Sequence, residues 1–213
     1  MPAKFSDDEK IQLREALVKT AKEAFVRFGL KKTSVEDLTT AVGIGQGTFY
    51  RFFDSKEELF FEILEREELM IADQINAMLS DCDLTKTTLK SVLIRSLTLM
   101  NENEMMSIVT AQGEYGRLLR RIPQGKLTSH LARERQCIQD KVEILQKRGV
   151  VRPVRPEVIT GMLYGLSALY QHRKEIGINV FDEAVELLVD SVCDALGMRG
   201  DGNLPTDRSS IEG

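Results

Sequence analysis

The chain has 213 residues and a formal net charge of −4, with 42% hydrophobic and 29% charged residues. That balance supports a buried core and excludes a disordered, collagen-like or disulfide-stapled chain. It also excludes a uniformly basic nucleic-acid coat, although an average charge hides local patches.

Composition changes near residue 62. Eight of the nine phenylalanines lie at or before Phe61, and seven of the eight methionines lie at or after Met70. Between Lys10 and Lys56 there are nine Lys/Arg against five Asp/Glu, so the front is locally basic and the remainder acidic. Two domains are expected, and nearly every segment reads as helix.

Leu13, Leu17, Ala21, Phe25 and Phe28 recur at helical spacing and predict one apolar face, closed by Gly29. Thr33 with Glu36, or Ser34 with Asp37, has the spacing of a capping box and opens a short second helix that Gly43 ends. A third short helix is predicted over Gln46 to Phe53, with Phe49 and either Phe52 or Phe53 as its anchors. Asp54 or Ser55 then caps a long helix that starts near Lys56 and has no breaker before Met78.

Further helices are predicted over Thr85 to Met100, Met105 to Arg121, Leu127 to Lys147, Glu157 to Ile176 and Phe181 to Leu196. No strand-like alternation with hairpin turns and no fixed-period repeat appears. The tail from Gly197 to Gly213 is polar and glycine-containing, and Ile211-Glu212-Gly213 looks like part of a protease-tag site.

Cys82, Cys137 and Cys193 form an odd set without CxxC spacing. They are expected to be small buried side chains in a reducing compartment. Residues 1–9 lack the apolar stretch of a secretory signal. The longest uncharged run, Val158 to Gln171, is shorter than the ~20 apolar residues a membrane span needs. A cytoplasmic protein with no membrane association is expected. His130 and His172 stand far apart, so no metal site is expected. No nucleotide loop, nucleophile elbow or zinc-protease motif appears, which argues against an enzyme and calls for no cofactor.

Two short helices joined through Gly43-Ile44, resting on a longer first helix, make a helix-turn-helix. In that arrangement the second helix of the pair enters the DNA major groove. Gln46, Thr48, Tyr50 and Arg51 are hydrogen-bonding types suited to phosphates and base edges. Gly45 and Gly47 leave the helix start thin, so its free N–H groups can approach phosphate closely.

The blocks Thr33-Ser34-Val35-Glu36-Asp37-Leu38, Val42-Gly43-Ile44, Gly47-Thr48-Phe49-Tyr50-Arg51-Phe52-Phe53 and Ser55-Lys56-Glu57-Glu58-Leu59 resemble the N-terminal domain of TetR-family transcriptional repressors, over about residues 10 to 64. The resemblance implies an all-α chain: a three-helix helix-turn-helix domain over residues 1–55, then a helical-bundle effector-binding and dimerisation domain over residues 56–197. Residues 198–213 would be a tail. It implies phosphate contacts at Thr33, Tyr50 and Lys56, and a reading edge at Gln46, Gly47 and Thr48. Gly45 stands where the family commonly has serine, and Phe52 where it commonly has tyrosine or histidine.

The implied function is a ligand-responsive repressor that binds a near-palindromic double-stranded DNA operator as a homodimer and is released by a small, largely apolar effector. A helical adaptor, or an activator with the same reading domain, is the alternative. Met70, Met100, Met105, Met106, Glu114, Tyr115, Met162 and Tyr164 are candidate effector contacts, since methionine makes adaptable walls. Gly161, Gly165 and Ala168 form a small-residue stripe. With Val185, Leu188 and Val192 of the last helix they are the expected dimer interface.

Overall fold

The computed structural model describes residues 5–81, 84–110, 118 and 120–198. Among these residues there are ten helices and no strand. They are α1 (Asp7–Lys32), α2 (Val35–Val42), α3 (Gln46–Phe49), α4 (Lys56–Asp81), α5 (Lys86–Glu102), α6 (Glu104–Thr110), α7 (Gln124–Lys147), α8 (Pro156–Gln171), α9 (Arg173–Ile176) and α10 (Ile178–Ala195).

Two compact units emerge: residues 1–74 with 98–132, and residues 75–97 with 133–213. Helices α4, α5 and α7 each contribute residues to both units. This partition follows packing and differs from the division expected after residue 55.

In the first unit, α1 starts on a capping box. Ser6 Oγ accepts from the Glu9 N–H at 3.2 Å, and the Glu9 carboxylate accepts from the Ser6 N–H at 2.7 Å. Its inner face buries Leu17, Val18, Ala21, Phe25 and Leu30. Phe28 was expected on that face and is instead exposed, with the Arg27 guanidinium 5.0 Å from its ring centre. At Gly29 a φ of 79° interrupts the helical backbone, and Leu30 beyond it is buried. Around this face pack Leu38, Phe49, Phe53, Phe60, Ile63, Met105 and Ile122. The Phe25 and Phe60 rings meet edge to face at 5.1 Å.

The second unit is built on Leu89, Val142, Ile159, Leu166, Phe181, Val185, Val189 and Cys193. The expected helix Glu157 to Ile176 is two helices, α8 and α9. His172, at φ −105° and ψ 17°, breaks the run without any proline or glycine to announce it. Cys193 is wholly buried, and burial pushes its thiol pKa up. Cys137, expected to be buried, is exposed on α7, where the Lys141 ammonium donates to its sulfur at 2.8 Å. Cys82 and the tail from residue 199 lie outside the described residues. Among the described residues no helix is long and apolar enough to cross a membrane.

Candidate nucleic-acid interface

The site is assembled from residues 33 to 56. Ser34 rather than Thr33 heads α2. Its hydroxyl accepts from the Asp37 N–H at 3.1 Å, while its own N–H and hydroxyl donate to the Asp37 carboxylate at 2.9 and 2.6 Å. The Ser34 hydroxyl and N–H hold the Asp37 carboxyl below the usual carboxylate range. α2 ends at Gly43 in the left-handed conformation (φ 77°, ψ 31°). The Ile44 N–H returns to the Thr39 carbonyl at 2.9 Å, so the corner closes on its own backbone.

Gly45 is the N-cap of α3 and makes no side-chain cap bond. Regular α-helix ends at Phe49, short of the expected Phe53. A turn continues it: the Phe52 and Phe53 N–H groups both donate to the Phe49 carbonyl, at 2.9 and 3.0 Å. Phe49 and Phe53 are buried and their rings stand 5.8 Å apart. Phe52 is only partly buried. The anchors therefore hold one side of α3. Gly45, Gln46, Gly47, Tyr50 and Arg51 are exposed, and Thr48 is half-buried. Tyr50 is 54% exposed although its ring packs edge-on against Phe49 at 5.4 Å.

Two expected phosphate contacts are otherwise engaged. Thr33 is 2% exposed, and its hydroxyl donates to the Gly29 carbonyl at 2.9 Å. The family resemblance implies a phosphate contact at Thr33, but its hydroxyl is turned inward onto the end of α1. The part-buried Lys56 ammonium donates to the carbonyls of Leu30 at 2.8 Å and Thr33 at 2.6 Å. Neither partner could be foreseen from spacing, because both lie more than twenty residues upstream.

The described candidate effector residues differ in burial. Met105 is wholly buried in the first core, and Met106 packs on that core. Met70 and Tyr164 are exposed, and Met100 and Met162 are half-buried. Glu114 and Tyr115 lie outside the described residues. A cavity of about 450 Å³ is lined by Lys19, Lys22, Glu23, Val26 and Glu104, with none of the candidates among them. His130 puts Nδ1 3.2 Å from Glu65 and Nε2 3.1 Å from Glu68, so the ring ties α7 to α4 within the first unit. Among the described residues no group of three His, Cys, Asp or Glu side chains could hold a metal.

Of the expected dimer residues, Gly161, Gly165 and Ala168 are exposed on α8. On α10, Leu188 is exposed and Val192 half-buried, but Val185 is 4% exposed and belongs to the core. Leu187, not anticipated, is 62% exposed. Reading α10 at full helical period would have separated the inward row Phe181, Val185, Val189 and Cys193 from Leu187.

A locally basic three-helix corner that buries one side of a glycine-flanked short helix and exposes the other is a helix-turn-helix DNA-binding unit. Residues 17–63 match the family described as bacterial regulatory proteins, tetR family. Through this segment the chain is similar to the TetR family of transcription regulators.

Among curated relatives, the nucleoid occlusion factor SlmA of Actinobacillus pleuropneumoniae is 29% identical over 103 residues, 48% of this chain and 50% of that protein. An Escherichia coli protein described as "Probable acrEF/envCD operon repressor" is 33% identical over 61 residues, 29% of this chain and 28% of its own length. The chain thus spans at most about half the length of these relatives. Among solved structures, a TetR-family transcriptional regulator from Pectobacterium atrosepticum superposes with a TM-score of 0.67 at 19% identity, covering 91% of this chain and 97% of the other. That likeness shows a shared all-helical fold.

Proposed function

We propose that this regulator is a ligand-responsive repressor that reads a near-palindromic duplex as a homodimer in the cytoplasm, without enzymatic activity. The observation that carries the reading is the division of α3. Phe49 and Phe53 hold one side in the core, while Gln46, Tyr50 and Arg51 stand exposed beside two glycines. Tyr50 and Arg51 would bind phosphates, and Gln46 and Thr48 would meet base edges, with Gly45 and Gly47 allowing the backbone close approach. The repressor sense follows the similarity to the Escherichia coli operon repressor.

A dimer supports the reading because two α3 helices then meet two half-sites one helical turn apart. The exposed row of Gly161, Gly165 and Ala168, with Leu187 and Leu188, offers small residues and apolar side chains for such a pairing. Residues 1–55 would form the reading domain and residues 56–197 the regulatory one. A small apolar effector would act by binding the duplex-incompetent state more tightly; equal affinity for both states would change nothing.

The test is selection of duplexes from a random pool, followed by binding of Tyr50→Ala and Arg51→Ala to the recovered sequence. Each variant should weaken binding about tenfold. Recovery of no duplex at low salt would refute the reading.

A further inference from the structure

The Lys56 ammonium sits at the first position of α4, where a positive charge opposes the dipole of its own helix. It is nevertheless fixed in place. It donates to the Leu30 carbonyl at 2.8 Å and the Thr33 carbonyl at 2.6 Å, and the Thr33 hydroxyl donates to the Gly29 carbonyl at 2.9 Å. Leu30 lies in the last turn of α1 and Thr33 is that helix's C-cap. Carbonyls at a helix C-terminus lack intrahelical donors and carry the negative end of the dipole, so a cation there is favoured. One side chain therefore joins the end of α1 to the start of α4.

Everything between those two ends is the helix-turn-helix. Residues 34–55 leave from the α1 end and return at the α4 start, and Lys56 closes this excursion at its neck. At the far side it is held by Leu38, Phe49 and Phe53 packing in the first core. An apolar cluster fixes depth but is nondirectional. Two charge-assisted bonds of defined geometry at the neck are directional and would set the angle at which α2 and α3 leave the core.

We infer that Lys56 is a positioning residue for DNA reading, acting through the neck it closes with Thr33 rather than by neutralising a phosphate. The inference builds on the DNA-reading function proposed above. A phosphate partner would be a sequence-independent contact and would release counterions; a neck clamp would do neither.

The test compares Lys56→Met, which keeps the stem and removes the donors, with the wild type, each shown to be folded by circular dichroism. Hydrogen exchange over residues 33–53 needs no DNA. It should speed up selectively in the variant while exchange over residues 60–74 stays as in wild type. The second measurement is the salt dependence of binding to a duplex recovered by the wild-type protein, with a random-sequence duplex beside it. Affinity for the recovered duplex should fall about tenfold, random-duplex affinity should hardly change, and the slope of log affinity against log salt should be unchanged.

Thr33→Val should produce a smaller loss of the same kind, less than additive with Lys56→Met. Unchanged exchange over residues 33–53 overturns the inference. So does a slope shallower by about 0.9, the signature of one lost phosphate contact. Failure of the wild type to recover any duplex would sink the proposed function alone, because the exchange measurement would still decide the role of Lys56.

Discussion

The Arg66 guanidinium on α4 grips the Glu15 carboxylate on α1 through both terminal nitrogens, at 2.7 and 2.8 Å. Arg66 also donates to Glu62 at 2.9 Å, and Arg14 closes the set onto Glu62. This network runs along the outer edge of the α1–α4 packing, so it adds directional bonds to an otherwise apolar contact. The pair raises the Arg66 pKa further and lowers that of Glu15. Both side chains are more than one-third exposed, and solvent screens the gain to about 1 kcal/mol. Arg66→Met is therefore expected to lower Tm by about 2–4 °C in dilute buffer, and by less in concentrated salt. Thermal melts at two ionic strengths check this; an equal loss at both would show that packing of the arginine stem, not charge, is responsible.

Acid should loosen the first unit. Burial pushes the Glu58 carboxyl up, but the Lys126 ammonium and the Asp54 N–H outweigh it and hold the pKa below its ordinary value. Arg66 does the same for Glu15, and Ser34 for Asp37. A carboxyl with a depressed folded-state pKa stabilises above its unfolded pKa, and that contribution is lost as pH falls through the folded value. Stability should thus be full near neutrality and decline once pH drops below the normal carboxylate range. Glu58→Gln should be less stable than wild type at neutral pH, with the gap narrowing toward acid. Denaturant midpoints across the acid range measure it, and a constant gap would remove Glu58 from the account.

Stability and DNA reading should part company at Gly47. A Cβ added there meets no atom within 4 Å, and the residue lies within α3. Gly47→Ala is expected to stabilise the fold by about 0.5–1 kcal/mol through reduced unfolded-state entropy. It should nevertheless weaken duplex binding, because the added methyl stands on the edge proposed to approach the groove. Paired melts and gel shifts test the separation; tighter or unchanged binding would remove Gly47 from the reading edge.

Two apolar positions on α10 should behave oppositely. Leu187 is 62% exposed, so Leu187→Lys is expected to leave helicity and Tm nearly intact while breaking a dimer. Val185 is 4% exposed in the second core, and Val185→Asp should unfold that unit by burying an unpaired charge. Sedimentation with circular dichroism distinguishes the two. A Leu187→Lys protein that still sediments as a dimer would move the pairing surface off this face.

What the sequence by itself determined were the features whose causes lie within a few residues. A capping box at Thr33 or Ser34, the left-handed corner at Gly43, the uncapped start at Gly45 and the anchoring of Phe49 are all local consequences of side-chain chemistry and backbone sterics, while the structure chose Ser34 with Asp37. Helical period likewise marked Leu17, Ala21 and Phe25 as one buried face. Tertiary structure alone decided that Thr33 turns inward, that Lys56 serves carbonyls more than twenty residues upstream and that Phe28 stays outside. Periodicity says which residues share a face. Which face is covered, and which distant carbonyl meets an ammonium, depends on how helices far apart in the chain pack together.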